Sequence, residues 1–150
     1  MPVASVTSSA AAIAQRLVRD ALVAYGEGIG RVAQLPMVLA LSGELGAGKT
    51  TLAQGICRGF GVVAPVTSPT FALVHEYDAP RGTVLHLDLY RLESAAALDS
   101  IGLDELLARE ALVIVEWPER AAGRLPASTR WIQLSTGGDP EVREVREGQR

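Results

Sequence analysis

The sequence contains one cysteine, Cys57, so no disulfide bond can form within the chain. Disulfide-stabilised scaffolds are therefore excluded, and a reducing compartment is expected. No apolar run reaches the roughly 18 residues that a membrane-spanning helix needs. No basic segment precedes an apolar stretch at the N-terminus either, because the first positive side chain is Arg16. We expect a cytoplasmic protein with no membrane partner.

Positive charge is also scarce. The 14 basic residues are outnumbered by 17 acidic ones, which gives a formal net charge of -3. A whole-chain basic surface that would hold a nucleic-acid backbone is excluded, so we expect any contact with RNA to be indirect, through partner proteins. Arginine supplies nearly all of the positive charge, and Lys49 is the only lysine.

The length and the apolar content indicate a folded protein. With 150 residues, 48% of them hydrophobic and 21% charged, the chain suits one globular domain with a sizeable core. We predict a single domain over residues 1–150, with residues 1–8 and 147–150 disordered at its ends.

The hydrophobic periodicity predicts an α/β protein. Apolar positions at helical spacing indicate an amphipathic helix over residues 9–24, with glycines at 26, 28 and 30 marking its end. Further helices are predicted at 49–59 and at 94–109, the latter with a break near Gly102. Strands are predicted at 37–41, 71–77, 84–87, 111–115, 131–135 and 142–146. The last two strands are separated by the turn TGGDP, so we expect them to form an antiparallel edge.

A phosphate-binding motif lies between the first strand and the second helix. Residues 43–50 read GELGAGKT, which matches G-x-x-x-x-G-K-[ST] at every position. Glycines let successive backbone N–H groups point at phosphate oxygens, and the helix that follows adds its positive end. Lys49 is placed to reach the terminal phosphates and Thr50 to bind Mg²⁺. The predicted nucleotide-binding residues are Gly43, Glu44, Leu45, Gly46, Ala47, Gly48, Lys49, Thr50 and Thr51.

Two acidic residues follow apolar strands. Asp88 ends VLHL and Glu116 ends ALVIV, where carboxylates of a parallel sheet can reach a metal ion at the nucleotide. We predict both as metal and catalytic residues, with the alternative that either is an ordinary charged residue at the start of a loop.

A hydroxyl-rich loop precedes the third predicted strand. Ser68, Pro69 and Thr70 are placed to fold over the terminal phosphate, and Thr70 is predicted as a switch residue, although Ser-Pro is also a common turn. Trp117 either shields the site or packs against a neighbour. The two histidines, His75 and His86, show no metal-ligand spacing and are predicted to be structural.

Five blocks of sequence together resemble the TsaE family, also called YjeE. They are GELGAGKTTLAQG at 43–55, TSPTFALVHEY at 67–77, LHLDLYRL at 85–92, IGLDELL at 101–107 and VEWPER at 115–120. The resemblance implies a P-loop NTPase-like three-layer α/β sandwich, whose mixed sheet has a parallel core and antiparallel C-terminal strands. It also implies an N-terminal segment that helps to form the adenine pocket.

The function implied by the resemblance is that of a small bacterial ATPase. It acts with TsaB and TsaD in the N6-threonylcarbamoylation of adenosine 37 of tRNA (t6A). By motif match, Lys49 holds phosphate and Thr50 holds Mg²⁺. Asp88 and Glu116 serve the metal and the attacking water, and Thr70 belongs to the switch loop.

Two other functions stay open on the sequence alone. One is a small-molecule kinase, whose lid would draw on Arg120, Arg124 and Arg130. The other is a nucleotide-dependent binding module with little hydrolysis. A guanine-reading N-K-x-D motif is missing, which disfavours a GTPase, and no arginine finger is identifiable, which predicts slow hydrolysis without partners.

Overall fold

A computed structural model describes residues 14–121 and 123–148. Its strands are β1 (Gln15–Val18), β2 (Met37–Ser42), β3 (Val74–Ala79), β4 (Gly82–Asp88), β5 (Ala111–Glu116), β6 (Arg130–Ser135) and β7 (Val142–Gly148). Its α-helices are α1 (Arg19–Val32), α2 (Lys49–Phe60), α3 (Ala95–Ser100) and α4 (Leu103–Leu107), and a 3-10 helix covers Pro118–Ala121. None of these helices is long and apolar enough to cross a membrane.

In the described chain the strands form one mixed sheet in the order β1-β7-β6-β2-β5-β4-β3. The four inner strands, β6, β2, β5 and β4, are parallel to one another. The antiparallel pairs are β3 with β4 at one edge, and β7 with both β6 and β1 at the other. The predicted antiparallel pairing of the two C-terminal strands is confirmed, although β6 itself runs parallel to β2.

Apolar side chains cover both faces of the sheet. In β5, Leu112 and Ile114 pack in the cluster that contains α1 and α2, whereas Val113 and Val115 pack on the opposite face with residues of α3 and α4. This two-residue alternation places the sheet between two helical layers. The predicted three-layer α/β sandwich with a parallel core is confirmed.

The N-terminal helix differs from its prediction. It begins at Arg19 and continues to Val32, through the glycines that were expected to end it, while residues 15–18 form β1. The pairing of β1 with β7 satisfies backbone groups that a helix would otherwise have satisfied internally. Residues 9–13 of the predicted helix lie outside the described residues.

Two of the three glycines of α1, Gly26 and Gly30, lie where it crosses α2. A Cβ atom added to Gly30 would lie 2.1 Å from the carbonyl oxygen of Ile56, and one added to Gly59 would lie 2.1 Å from that of Glu27. Gly26 and Gly55 occupy similar positions one turn earlier on their helices, with backbone oxygens at 2.8 and 2.5 Å. The two backbones therefore touch directly, which only glycine permits.

The boundaries of β3 and β7 also differ from those predicted from the sequence. Strand β3 begins at Val74 instead of residue 71, because Leu73 lies at a positive φ of 73° that interrupts an extended strand. Strand β7 continues to Gly148, so residues 147 and 148 are ordered in the sheet and were wrongly predicted to be disordered. Residues 1–8 and 149–150 lie outside the described residues.

Candidate functional site

The phosphate loop connects β2 to α2 at the centre of the sheet. Gly43, Gly46 and Gly48 adopt positive φ angles of 151°, 81° and 104°, so the loop turns sharply at three points. A Cβ at Gly43 would come within 2.5 Å of the Leu134 carbonyl oxygen. No side chain caps the first turn of α2, which leaves its backbone N–H groups directed at the loop interior. The predicted motif thus has the backbone geometry of an anion cradle.

Lys49 is folded back onto this loop. Its Nζ donates to the carbonyl oxygens of Gly43 and Glu44 at 2.5 and 2.9 Å, and it lies 4.2 Å from the centre of the Trp117 ring. The side chain is 5% exposed. Burial lowers the pKa of the ammonium, an effect opposed by nearby carboxylates, chiefly that of Glu116. The poorly hydrated Lys49 ammonium therefore lies at the position where a phosphate group would bind.

Thr50 and Glu116 are brought together by α2 and β5. The Thr50 hydroxyl oxygen, Oγ1, lies 3.0 and 3.2 Å from the two carboxylate oxygens of Glu116. Because β5 is the direct neighbour of β2, the end of β5 lies beside the first turn of α2. A hydroxyl in this position can donate its proton to the carboxylate and still offer lone pairs to a cation.

Asp88 lies one strand further along, paired in register with Glu116. Its Oδ2 accepts a hydrogen bond from the Thr70 hydroxyl at 2.9 Å, and its Oδ1 accepts one from the Tyr90 backbone N–H at 2.9 Å. The Ser68 hydroxyl is 2.7 Å from that of Thr70. Asp88 therefore holds the hydroxyl loop against the sheet, so the two acids have different partners.

These groups line one cavity of about 390 Å³. Tyr90 and Trp117 form part of its rim, with ring centres 4.7 Å apart, and Trp117 is held at a positive φ of 59°. A non-glycine residue at such a φ is uncommon and concentrates at functional sites. The cavity is lined by Leu45, Gly46, Gly48, Lys49, Thr50, Thr51, Ser68, Thr70, Asp88, Tyr90, Glu116, Trp117 and Arg143.

A second cavity of about 170 Å³ adjoins the first. Arg143 of β7 borders both, and its guanidinium donates to the Gly46 carbonyl oxygen at 3.3 Å. The Nε of Arg143 is buried without a hydrogen-bond partner in the described part of the chain. The second cavity is lined by Arg19, Leu22, Gly48, Thr51, Pro140, Glu141 and Arg143.

The donor set suits Mg²⁺ that shares its ligands with phosphate and water. Within residues 14–121 and 123–148, no group of three or more His, Cys, Asp or Glu side chains lies close enough to hold a metal ion alone. One hydroxyl and carboxylates at the edge of a phosphate loop are the ligands that Mg²⁺ takes beside a nucleotide. The residues present therefore fit this ion.

The sequence predicted most of these neighbours, but it missed three, which are Tyr90, His86 and Arg143. Lys49, Thr50, Thr70, Asp88 and Glu116 all line the larger cavity. His86, predicted to be structural, instead lies against Glu116, with its Nε2 2.7 Å from Oε2 of the carboxylate. The alternation along β4 holds a clue, because His86 and Asp88 are two residues apart and so face the same side.

Arg143 was also missed. It lies on the last strand, some hundred positions from the phosphate loop, and only the sheet order brings it close. No spacing in the sequence distinguishes it from the other twelve arginines.

Comparison with known proteins gives one family. The profile described as "Threonylcarbamoyl adenosine biosynthesis protein TsaE" matches residues 18–145. Among curated proteins called tRNA threonylcarbamoyladenosine biosynthesis protein TsaE, that of Bacillus subtilis is 38% identical over 108 residues, covering 72% of this chain and 66% of the relative. That of Treponema pallidum is 37% identical over 115 residues, covering 77% and 84%.

A solved structure is similar over most of the chain. The crystal structure of YdiB from Bacillus subtilis matches with a TM-score of 0.76 and 28% sequence identity, covering 93% of this chain and 86% of that one. In sequence, the chain spans just under two thirds of the Bacillus subtilis TsaE protein and a larger share of the Treponema pallidum one.

Proposed function

Because this chain belongs to the TsaE family, whose members act in tRNA threonylcarbamoyladenosine biosynthesis, we propose that it is an ATPase that supports TsaB and TsaD in that pathway. It binds and hydrolyses Mg-ATP in the cytoplasm and reaches tRNA through its partners. One observation carries the proposal: a glycine cradle, a buried lysine and the Thr50–Glu116 pair border the same cavity.

Lys49 supplies the charge that phosphate needs. Its ammonium is satisfied by two loop carbonyls and the face of Trp117, all of which are weaker partners than a phosphate dianion. On nucleotide binding the Nζ donors turn to the phosphate oxygens, and the desolvation that lowers the pKa of Lys49 is offset by a full negative charge. The contact between the Lys49 ammonium and the Trp117 ring is then lost.

Thr50, Glu116 and Asp88 would hold Mg²⁺, directly or through water. When bound there, Mg²⁺ would supply positive charge against the phosphate oxygens. Glu116 is placed to accept a proton from an attacking water, since one oxygen is fixed by a ring nitrogen and the carboxylate borders the cavity. Asp88 positions Thr70, whose hydroxyl closes the loop over the phosphates.

We assign the nucleoside to the second cavity. This cavity opens beside Gly48 and Thr51, next to the phosphate cradle, and Arg19 and Leu22 of the N-terminal helix form one wall. The family resemblance led us to expect an N-terminal contribution to the adenine pocket. Arg143, with an unpaired Nε at the boundary of the two cavities, supplies a cation near the inner phosphates.

Hydrolysis by the isolated protein should be slow. Among residues 14–121 and 123–148, Arg143 is the only arginine that lines the larger cavity, and it donates to the Gly46 carbonyl oxygen of the loop. We infer that a further cation at the opposite side, where charge develops on the terminal phosphate, comes from a partner. This supports activity that depends on TsaB and TsaD.

The kinase alternative gains no support. Arg124 is paired with Asp99 and Asp104, Arg130 is paired with Glu147, and neither lines the larger cavity. The guanidinium of Arg120 lies 5.6 Å from the Tyr90 ring at the rim. A binding module without hydrolysis differs from our proposal only in turnover, which the following experiment measures.

The test is to measure ADP affinity and ATP turnover with Mg²⁺, for the protein alone and with TsaB and TsaD. We expect binding and slow hydrolysis alone, and faster hydrolysis with the partners. Lys49→Ala should lower ADP affinity at least tenfold. The control Arg58→Ala, an exposed cation at the far end of α2, should leave it unchanged. A wild-type protein with no affinity for ADP or ATP would refute the proposal.

A further inference from the structure

His86 is the most deeply buried polar residue beside the site. Its side chain is 0% exposed, and its Nε2 lies 2.7 Å from Oε2 of Glu116, which is itself 3% exposed. Because an ionised carboxylate only accepts hydrogen bonds, the Nε2–H of His86 is the donor. The carboxylate is thereby fixed from inside the sheet.

Glu116 has donors on two sides. Thr50 approaches from α2 at 3.0 Å, and His86 approaches from β4. Thr50 lies in the first turn of α2, and its hydroxyl is expected to change partners when the cation arrives, whereas His86 belongs to an inner strand whose neighbours on both sides are paired in register. His86 is therefore the donor that stays in place through the nucleotide cycle.

Packing alone does not explain a histidine at position 86, because its surroundings favour an apolar side chain. Val84, two residues earlier on the same face, and Ile114, the register partner on β5, are fully buried and apolar. The second ring nitrogen of His86, Nδ1, has no hydrogen-bond partner among the residues that the structure describes. An apolar residue would fill this space without an unsatisfied polar atom. The imidazole is explained by its bond to Glu116.

We propose that His86 is a positioning residue that holds the Glu116 carboxylate in the orientation that serves cation and water. The inference rests on the proposed function and adds to it a group that touches neither nucleotide nor metal. Partners of this kind, one bond behind a metal-site carboxylate, typically affect metal affinity or activity 10- to 100-fold.

The experiment compares His86→Leu with His86→Gln in the full chain. Leucine keeps the volume but removes the donor, whereas the glutamine amide nitrogen reaches about as far as Nε2. We expect His86→Leu to lower kcat about 10- to 100-fold with less change in KM. His86→Gln should keep kcat within about threefold of wild type.

A binding readout does not depend on turnover. The ratio of ADP affinities with Mg²⁺ and with EDTA measures how well the cation is held. We expect His86→Leu to reduce this ratio and to leave ADP affinity in EDTA unchanged. If the wild type binds ADP but does not hydrolyse ATP, hydrolysis as the function fails, and this ratio still decides the role of His86.

A double-mutant cycle separates positioning from packing. In a Glu116→Gln background, His86→Leu should cause little further loss, because the carboxylate that it orients is already gone. If His86→Leu does not fold, His86→Asn replaces it, since its shorter amide cannot reach Oε2 and should lose at least tenfold more activity than His86→Gln.

Three results would overturn the proposal. They are wild-type kcat and wild-type Mg²⁺ dependence in His86→Leu, equal losses in the Asn and Gln variants, or full additivity with Glu116→Gln.

Discussion

The Thr50 hydroxyl and the Glu116 carboxylate lie 3.0 Å apart, which joins the first turn of the phosphate-loop helix to the end of the neighbouring strand. Asp88, one strand away, has no such contact and instead binds Thr70. The two acids that the sequence presents as equivalent are therefore predicted to differ when each is neutralised.

Glu116→Gln should weaken cation binding more than Asp88→Asn. Glutamine keeps the shape but removes the charge beside Thr50, so we expect the Mg²⁺-dependent gain in ADP affinity to fall about tenfold or more. Asp88→Asn should retain most of that gain and lower kcat, because asparagine has only one acceptor oxygen for the two donors, Thr70 and the Tyr90 N–H, that Asp88 holds. Calorimetric titration of ADP, with and without Mg²⁺, checks the first statement. The reverse order of effects would contradict this assignment.

Trp117 should report nucleotide binding by fluorescence. Its ring faces the Lys49 ammonium at 4.2 Å, and that cation should turn to phosphate when nucleotide binds. The chain has two tryptophans, so Trp131→Phe isolates the Trp117 emission. We expect saturable change with ADP and Mg²⁺, and none in the Lys49→Ala version of the same protein. If saturating nucleotide leaves the Trp117 emission unchanged, Lys49 does not leave the Trp117 ring when nucleotide binds.

Replacing Gly30 should destabilise the protein, whereas replacing Gly28 should not. In Gly30→Ala the new methyl group meets the Ile56 carbonyl oxygen at 2.1 Å, and we expect a loss of about 1–3 kcal/mol in the free energy of unfolding. At Gly28 the nearest atom is a side-chain nitrogen of Arg31 at 3.8 Å. Gly28→Ala should therefore add roughly 0.5–1 kcal/mol through helix propensity. Urea unfolding of both variants measures the difference, and equal effects would exclude the backbone contact.

The thiol of Cys57 should be unreactive in the native state. It is 0% exposed, and burial raises its pKa from the usual 9.0 to about 12. Alkylation by iodoacetamide at pH 8.5 should be slow in buffer and fast in denaturant. Between these pKa values the folded thiol keeps a proton that the unfolded thiol has lost, so its contribution to stability should fall as pH rises from about 9 to 12. Rapid native alkylation would refute this.

Arg143→Ala should weaken ADP binding without unfolding the protein. The guanidinium borders both cavities, and its Nε has no partner in the part of the chain that the structure describes. Loss of one charge-assisted phosphate contact should lower ADP affinity about tenfold. The control is Arg16→Ala, which removes an exposed ion pair between β1 and Glu144, the neighbour of Arg143 on β7. Equal ADP affinity in both variants would exclude Arg143 from the site.

The sequence was sufficient for elements whose local pattern and tertiary role agree. The run from Met37 to Leu41 reads as a buried strand and is the centre of the sheet, and the three glycines of the GELGAGKT turn all lie at positive φ. Asp88 and Glu116 were correctly placed at strand ends, because parallel strands end at the same edge.

The errors arose where distant contacts decide the structure. Gly26 and Gly30 resemble a helix end in isolation, but their role is to admit the backbone of α2, which no local pattern reveals. Residues 15–18 carry a helical pattern and are drawn into the sheet by β7. His86 resembled any strand histidine until the register of β4 with β5 brought it to Glu116.

The direct backbone contact between α1 and α2 limits how this protein can change shape. Because no side chain separates the two backbones where Gly30 meets Ile56 and Gly59 meets Glu27, we expect the two helices to move as one rigid body with the loop that α2 carries. Apart from the reorientation of the Lys49 ammonium, we expect the nucleotide-bound and nucleotide-free states to differ on the opposite wall of the cavity, at Thr70, Tyr90 and Trp117. A partner protein that distinguishes the two states would have to contact that wall.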